Sequence, residues 1–183
     1  NIPNKQEYFE YCKNNRLLLE EIIVQHPQLN KINASCVNSI RINAARRRDG
    51  TVCLVGACLK CGVSDNISDN FHAGGIAYPL DKSTGTVTGP GRNNCDLTDY
   101  FVHPGSNTAM QSFSVPFWNE IEKAVLIAMD TVPSLGYVGW DIAVTPEGPE
   151  LIEGNFNWPG GNIIQFDGVG KYPLILSCLG ESL

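Results

Sequence analysis

Between Pro116 and Pro133 the apolar residues Phe117, Ile121, Ala124, Val125, Ala128 and Met129 fall on one helical stripe, with Asn119, Glu120, Glu122 and Lys123 mostly off it. Proline suits the first turn of a helix and cannot continue one, so the pattern predicts a helix opened by Pro116 and stopped by Pro133. Residues 5–13 predict a short amphipathic helix, and Pro173 opens a closing one. The run from Leu17 to Val24 fits a strand or a helix end, because periodicity alone does not separate the two.

From Ser39 onward the pattern turns to antiparallel strands. Ile40-Arg41-Ile42, the Asp49-Gly50 turn and the run Val52 to Leu59 predict a first hairpin. Gly74 to Tyr78 and Thr86 to Thr88 flank the turn Asp81 to Gly85, and Pro79 there favours an edge strand or a bulge. Residues 89–115, rich in Gly, Asn, Asp, Ser and His, predict a long loop of the kind that often carries function. A third hairpin spans residues 138–155. The fold class is therefore α+β, a largely antiparallel sheet flanked by helices, in one domain over residues 1–183 without repeat, linker or low-complexity tract.

The third hairpin carries the chemistry. With residues 145–149 as its loop, Val144 faces Glu150 and Asp141 lies opposite Glu153. Alternation puts Asn155 on that same face and turns Trp140, Ile142, Val144 and Ile152 to an apolar one. Carboxylates opposed with Cβ atoms about 4.5–5.5 Å apart repel, so a cation is expected between them. Two carboxylates and an amide oxygen are hard donors that suit Mg²⁺ or Mn²⁺ together with phosphate and water. A solvated acidic hairpin fits the same pattern.

Composition narrows the function classes. The chain has 183 residues, 43% apolar and 17% charged, which excludes disorder, collagen and coiled coil. Thirteen Lys and Arg against 19 Asp and Glu give a net charge of −6, which argues against nucleic acid as the partner. The one basic run, Arg46-Arg47-Arg48, precedes Asp49-Gly50 and reads as a solvated turn or a phosphate-facing loop. No stretch is apolar for long enough to span a membrane, and residues 1–5 lack a signal-peptide pattern, so a cytoplasmic setting is expected. Seven cysteines in that setting predict reduced thiols. Cys53, Cys58 and Cys61 with Cys95 have an iron–sulfur-like spacing, but strand alternation would turn Cys58 away from Cys53 and Cys61.

Asp141, then Glu153-Gly154-Asn155 followed by Pro159-Gly160, resembles the metal-binding end of an ATP-grasp enzyme. Asn38 to Ile42, Cys58 to Gly62, Asp69-Asn70-Phe71 with Gly74-Gly75-Ile76, Asp81 to Gly85, His103-Pro104 and Gly139-Trp140-Asp141 extend the likeness. In order and spacing they are similar to the sugar-transfer-associated ATP-grasp group over residues 17–165, and to the C-terminal lobe of that fold. No counterpart of the preceding lobe, with its phosphate-binding lysine, stands before residue 17. The expectation is a chain that carries the metal and phosphate floor but lacks part of the adenine pocket.

The resemblance implies roles. Asp141, Glu153 and Asn155 hold Mg²⁺ (or Mn²⁺) against the phosphates of ATP. Arg41 contacts phosphate and is the catalytic cation. Lys60 stands where the family tends to carry arginine, keeping the charge but losing the bidentate fork. Glu20, Glu21, Ile22 and Ile23 resemble the hinge that binds adenine, and Asn70 with Gly74-Gly75 a loop near the triphosphate or acceptor. The implied reaction activates a carboxylate as an acyl phosphate for attack by an amine or similar nucleophile. The acceptor is then a small carboxylate or a sugar-linked or peptide-like molecule from surface-sugar assembly. Plainer readings stand beside these: Arg41 as a cross-strand ion-pair partner, Glu20 and Glu21 as exposed residues, His103 as a loop hydrogen-bonder, and Asp69 and Asp81 as turn residues. Two other functions remain open, a non-catalytic carbohydrate- or protein-binding module and a phosphotransferase on the same fold.

Overall fold

A computed structural model describes residues 4–63, 67–96, 98–156, 160 and 162–180. Pro159 of the quoted motif lies outside them. Five strands, β1 Ile40–Arg46, β2 Val52–Cys61, β3 Ile76–Leu80, β4 Tyr137–Thr145 and β5 Gly148–Asn155, form one antiparallel sheet in the order β3-β2-β1-β4-β5. Among the described residues four helices accompany it: α1 Lys5–Asn14, α2 Pro27–Asn30, α3 Trp118–Thr131 and α4 Tyr172–Leu179. Pro79 lies in β3, at the sheet edge, where a missing N–H is tolerated. Among the described residues no helix is long and apolar enough to cross a membrane.

The two faces of the sheet differ in chemistry. On one, Ile40, Ile42, Leu59, Trp140, Ile142 and Val144 pack against Ile121, Val125 and Met129 of α3, giving the main core. The other carries a smaller apolar cluster, in which Ala45, Val55 and Cys58 meet Ile163, Ile164 and Cys178. Next to that cluster, the same face holds the buried charged side chains Arg41, Lys60 and Asp141.

Several expectations are corrected. Leu17 to Val24 is neither strand nor helix but an irregular, mostly exposed segment, reaching 88% exposure at Ile22. It leads to His26, whose N–H donates to Val144 O at 2.7 Å. Thr86 to Thr88 makes only isolated bridges, Val87 with Leu80 and Thr86 with Ser114. The third hairpin closes on a tighter turn, since Thr145 pairs with Gly148, and a bulge at Ile152 then restores the register so that Asp141 does face Glu153. Ile152, expected on the apolar face, is 45% exposed. A second irregularity, in β2 between Leu54 and Gly56, brings Cys53 and Cys58 into the same cluster, against simple alternation, while Cys61 lies in the main core. Among the described residues no three His, Cys, Asp or Glu are gathered where they could hold a metal ion. All seven are free thiols, and burial pushes the Cys58 thiol up to about 12.

The basic run is structural. Arg46 Nη2 donates to Met129 O at the end of α3 (2.5 Å) and to Asp130 Oδ1 (3.1 Å), while Arg48 Nε donates to Leu179 O at the end of α4 (3.0 Å). Helix C-termini carry partial negative charge and unpaired carbonyls, so cations belong there.

Candidate functional site

β1 lies between β2 and β4, and its register sets Arg41 opposite Asp141 on one side and Cys58 on the other. Arg41 donates two parallel bonds, Nε to Asp141 Oδ1 at 2.5 Å and Nη2 to Oδ2 at 2.7 Å. Lys60 Nζ adds a third at 3.2 Å to the same Oδ2. The three side chains are 7–11% exposed. Burial alone would raise the Asp141 carboxyl. Hydrogen bonds from Arg41 and Lys60 and the charges of both outweigh it and hold the group below the usual carboxylate range. For Arg41 burial works downward, and the bond and charge of Asp141 prevail and raise it.

Two residues outside the predicted set complete the cluster. Asp69 Oδ1 stands 3.9 Å from Lys60 Nζ, and its Oδ2 accepts from the Ser39 N–H at 2.8 Å and from Ser39 Oγ at 2.5 Å. In the sequence Asp69 was legible as part of the Asp69-Asn70-Phe71 motif and equally as a turn residue, without a role at this site. Ser39 shares the face of Arg41 by alternation, the one signal that points to it. Gly75 permits this arrangement, because a β-carbon there would collide with Asp69 O. Gly160, at φ 70, lies over Arg41, and a β-carbon there would collide with Nη1.

Beyond Asp141, at the sheet edge, Glu153 accepts from Asn155 Nδ2 at 2.9 Å, and both side chains reach solvent. The Arg41 guanidinium, bonded to Asp141 from the β1 side, also feels the negative charge of Glu153. Asp141 uses three of a carboxylate's roughly four acceptor positions on Arg41 and Lys60. Among the described residues, Glu153 Oε2 and Asn155 Oδ1 have no hydrogen-bond partner. The donors are hard oxygens and fit Mg²⁺ or Mn²⁺, with Glu153 and Asn155 the more available and Asp141 able to add one position.

The other predicted residues lie apart from this cluster. Glu21 and Ile23 line a 220 Å³ cleft with Thr145, Glu147 and Glu150, and Glu20 is exposed outside it. Thr145 is four residues from Asp141, about 13 Å along an extended strand. Asn70 caps a 3₁₀ turn, its Oδ1 accepting from the His72 N–H at 3.0 Å. A larger cleft of 680 Å³, lined by Val55, Leu80, Lys82, Phe166, Asp167 and Lys171 among others, touches none of the cluster.

Fold and site define an α+β protein whose five-stranded antiparallel sheet gathers its buried charges on one face. The chain belongs to the sugar-transfer-associated ATP-grasp family: the model of that family, described as sugar-transfer associated ATP-grasp, matches residues 8–173. This makes it an ATP-utilising, ligase-type fold. No curated protein and no solved structure gives a significant match.

Proposed function

We propose that this chain forms the metal and phosphate floor of an ATP-dependent ligase that activates a carboxylate as an acyl phosphate for attack by an amine or similar nucleophile. The observation that carries this reading is Arg41 and Lys60 fixed on Asp141, beside the open oxygens of Glu153 and Asn155. Arg41 and Lys60 neutralise phosphate oxygens, and the two-bond clamp sets the plane of the guanidinium before any ligand arrives. Glu153, Asn155 and the remaining position on Asp141 hold Mg²⁺ or Mn²⁺, which when bound supplies charge neutralisation and alignment for phosphoryl transfer. The cleft at Glu21 to Val24 takes the adenine end, at a distance along β4 that suits an extended nucleotide. A small carboxylate or sugar-linked acceptor agrees with the family's association with sugar transfer, as a cytoplasmic setting agrees with use of ATP.

The cluster's charges make the proposal specific. Two cations stand among three carboxylates, Asp69, Asp141 and Glu153, so a bare triphosphate meets net negative charge and binds only with its metal. Calorimetric titration with ATP, with and without Mg²⁺, tests this. Saturable binding is expected only with Mg²⁺ and is lost in Glu153→Gln, an exposed substitution that spares the core, and in Asp141→Asn. Binding that needs no metal, or that survives both substitutions, would overturn it.

The 680 Å³ cleft favours one second reading. Its lining, which mixes the apolar side chains Val55, Leu80, Phe166 and Leu174 with Asp81, Lys82, Asp167 and Lys171, suits a carbohydrate, as a binding module would require. Carbohydrate binding unchanged in Asp141→Asn, in a chain that takes up no nucleotide, would favour that module.

A further inference from the structure

Lys60 stands between two carboxylates, with Nζ 3.2 Å from Asp141 Oδ2 and 3.9 Å from Asp69 Oδ1. They are not equivalent. Asp141 already receives three N–H donors, whereas Asp69 is pinned through Oδ2 by the two donors of Ser39, its N–H and its hydroxyl, and turns Oδ1 to Lys60. A divalent cation at the one position left on Asp141 stands beside the donors already bonded there, and like-charge repulsion drives out the most weakly held of them. Arg41 is held by two parallel bonds, so Lys60, held by one, is the donor that can go. Its side chain is only 11% exposed, and an ammonium left there without a counter-ion would oppose the change. Asp69 Oδ1 lies about 1 Å beyond hydrogen-bond contact, within reach of a flexible lysine stem.

Resting on the metal reading above, we propose that Asp69 is a positioning residue: it receives Lys60 when Asp141 turns to a divalent cation, and so sets the affinity for that cation without touching it. Ser39 holds Asp69 in place for the transfer. Lys60 keeps a counter-ion before and after, and its ammonium stays on the phosphate-facing side of the sheet.

The test is Mn²⁺ binding to the chain in the presence of ADP, followed by the electron paramagnetic resonance signal of free Mn²⁺. Asp69→Asn keeps an acceptor oxygen for Ser39 but removes the charge, and is expected to weaken Mn²⁺ binding at least fivefold. In a Lys60→Met background no ammonium needs a seat, and the same substitution is expected to change nothing. The Lys60 ammonium resonance should shift on adding Mg²⁺ in the parent chain and stay in place in Asp69→Asn. Equal affinity in the parent chain and Asp69→Asn would overturn the transfer alone, as would an equal loss in both backgrounds, which marks a purely structural role. Absence of saturable Mn²⁺ binding in the parent chain would instead overturn the metal reading and this inference with it.

Discussion

Arg41 and Asp141 face each other across β1 and β4 and are joined by two parallel hydrogen bonds in a largely water-excluded position. Removing one partner of such a pair is costly to the other, and here Asp141→Asn takes the buried carboxylate from Arg41 and leaves Lys60 with Asp69, 3.9 Å from its Nζ. The expected loss is about 3–5 kcal/mol of unfolding free energy, measured by urea denaturation. Replacing both partners with apolar residues, Arg41→Met with Asp141→Leu, should cost less than either single change. A single Asp141→Asn within about 1 kcal/mol of the parent would mean that the pair is not buried as described.

Stability should also respond to acid in two steps. His103 is buried, donating from Nε2 to Gly62 O at 2.9 Å with Ser106 Oγ 3.3 Å from Nδ1, and burial lowers its affinity for a proton. Its contribution is complete above the unfolded value of about 6.5 and is lost as pH falls through the lower folded value. Asp141 likewise contributes fully above about 3.9, and that contribution disappears as pH falls through its depressed folded value. Melting temperature against pH should therefore decline first below about pH 6.5, and His103→Gln should flatten that first decline while leaving the second. A first step that persists in His103→Gln would assign it elsewhere.

Gly154 lies against the Trp140 ring, where a β-carbon would meet Cζ3 at 2.5 Å. Gly154→Ala is expected to cost about 1–3 kcal/mol and to push β5 away from β4, carrying Glu153 and Asn155 with it. Trp140 fluorescence and Mn²⁺ affinity should change together. An alanine variant with the parent's metal affinity would show that the edge strand tolerates the displacement.

The opposition of Asp141 and Glu153 was legible in the sequence by way of two compensating errors. Alternation with a five-residue loop paired the residues correctly, yet the turn is tighter and the bulge at Ile152 makes up the difference. A period-two pattern counts residues per face and carries no sign of where one extra residue is accommodated. The irregularity in β2 had the opposite effect and moved Cys58 to the face of Cys53. The strands, α3 and the antiparallel sheet were legible because long apolar periodicities and prolines specify them locally. The role of Asp69 at the site was not, since it depends on Ser39 and Lys60, 30 and nine positions away, meeting Asp69 across the chain. Nor did the apolar run from Leu17 to Val24 become an element: its side chains stay mostly exposed among the described residues, and hydrophobicity that is not buried does not specify a regular backbone.

Arg46 and Arg47 are neighbours with unlike tasks. Arg46 bonds the last turn of α3, while Arg47, on the exposed turn, donates to Thr51 Oγ1 at 3.3 Å and lends its charge to Asp49. Arg46→Ala should cost about 1–2 kcal/mol, and Arg47→Ala less than about 0.5 kcal/mol, by thermal unfolding. Equal effects would return the run to a simple solvated turn.

α3 covers one face of the sheet and α4 the other, and one short turn holds the ends of both, through Arg46 and Arg48. Neither helix can fray from its C-terminus without disturbing the segment that anchors its counterpart. Amide hydrogen exchange in the last turns of the two helices should accordingly rise and fall together, so that layers separated by a whole sheet share a single opening event.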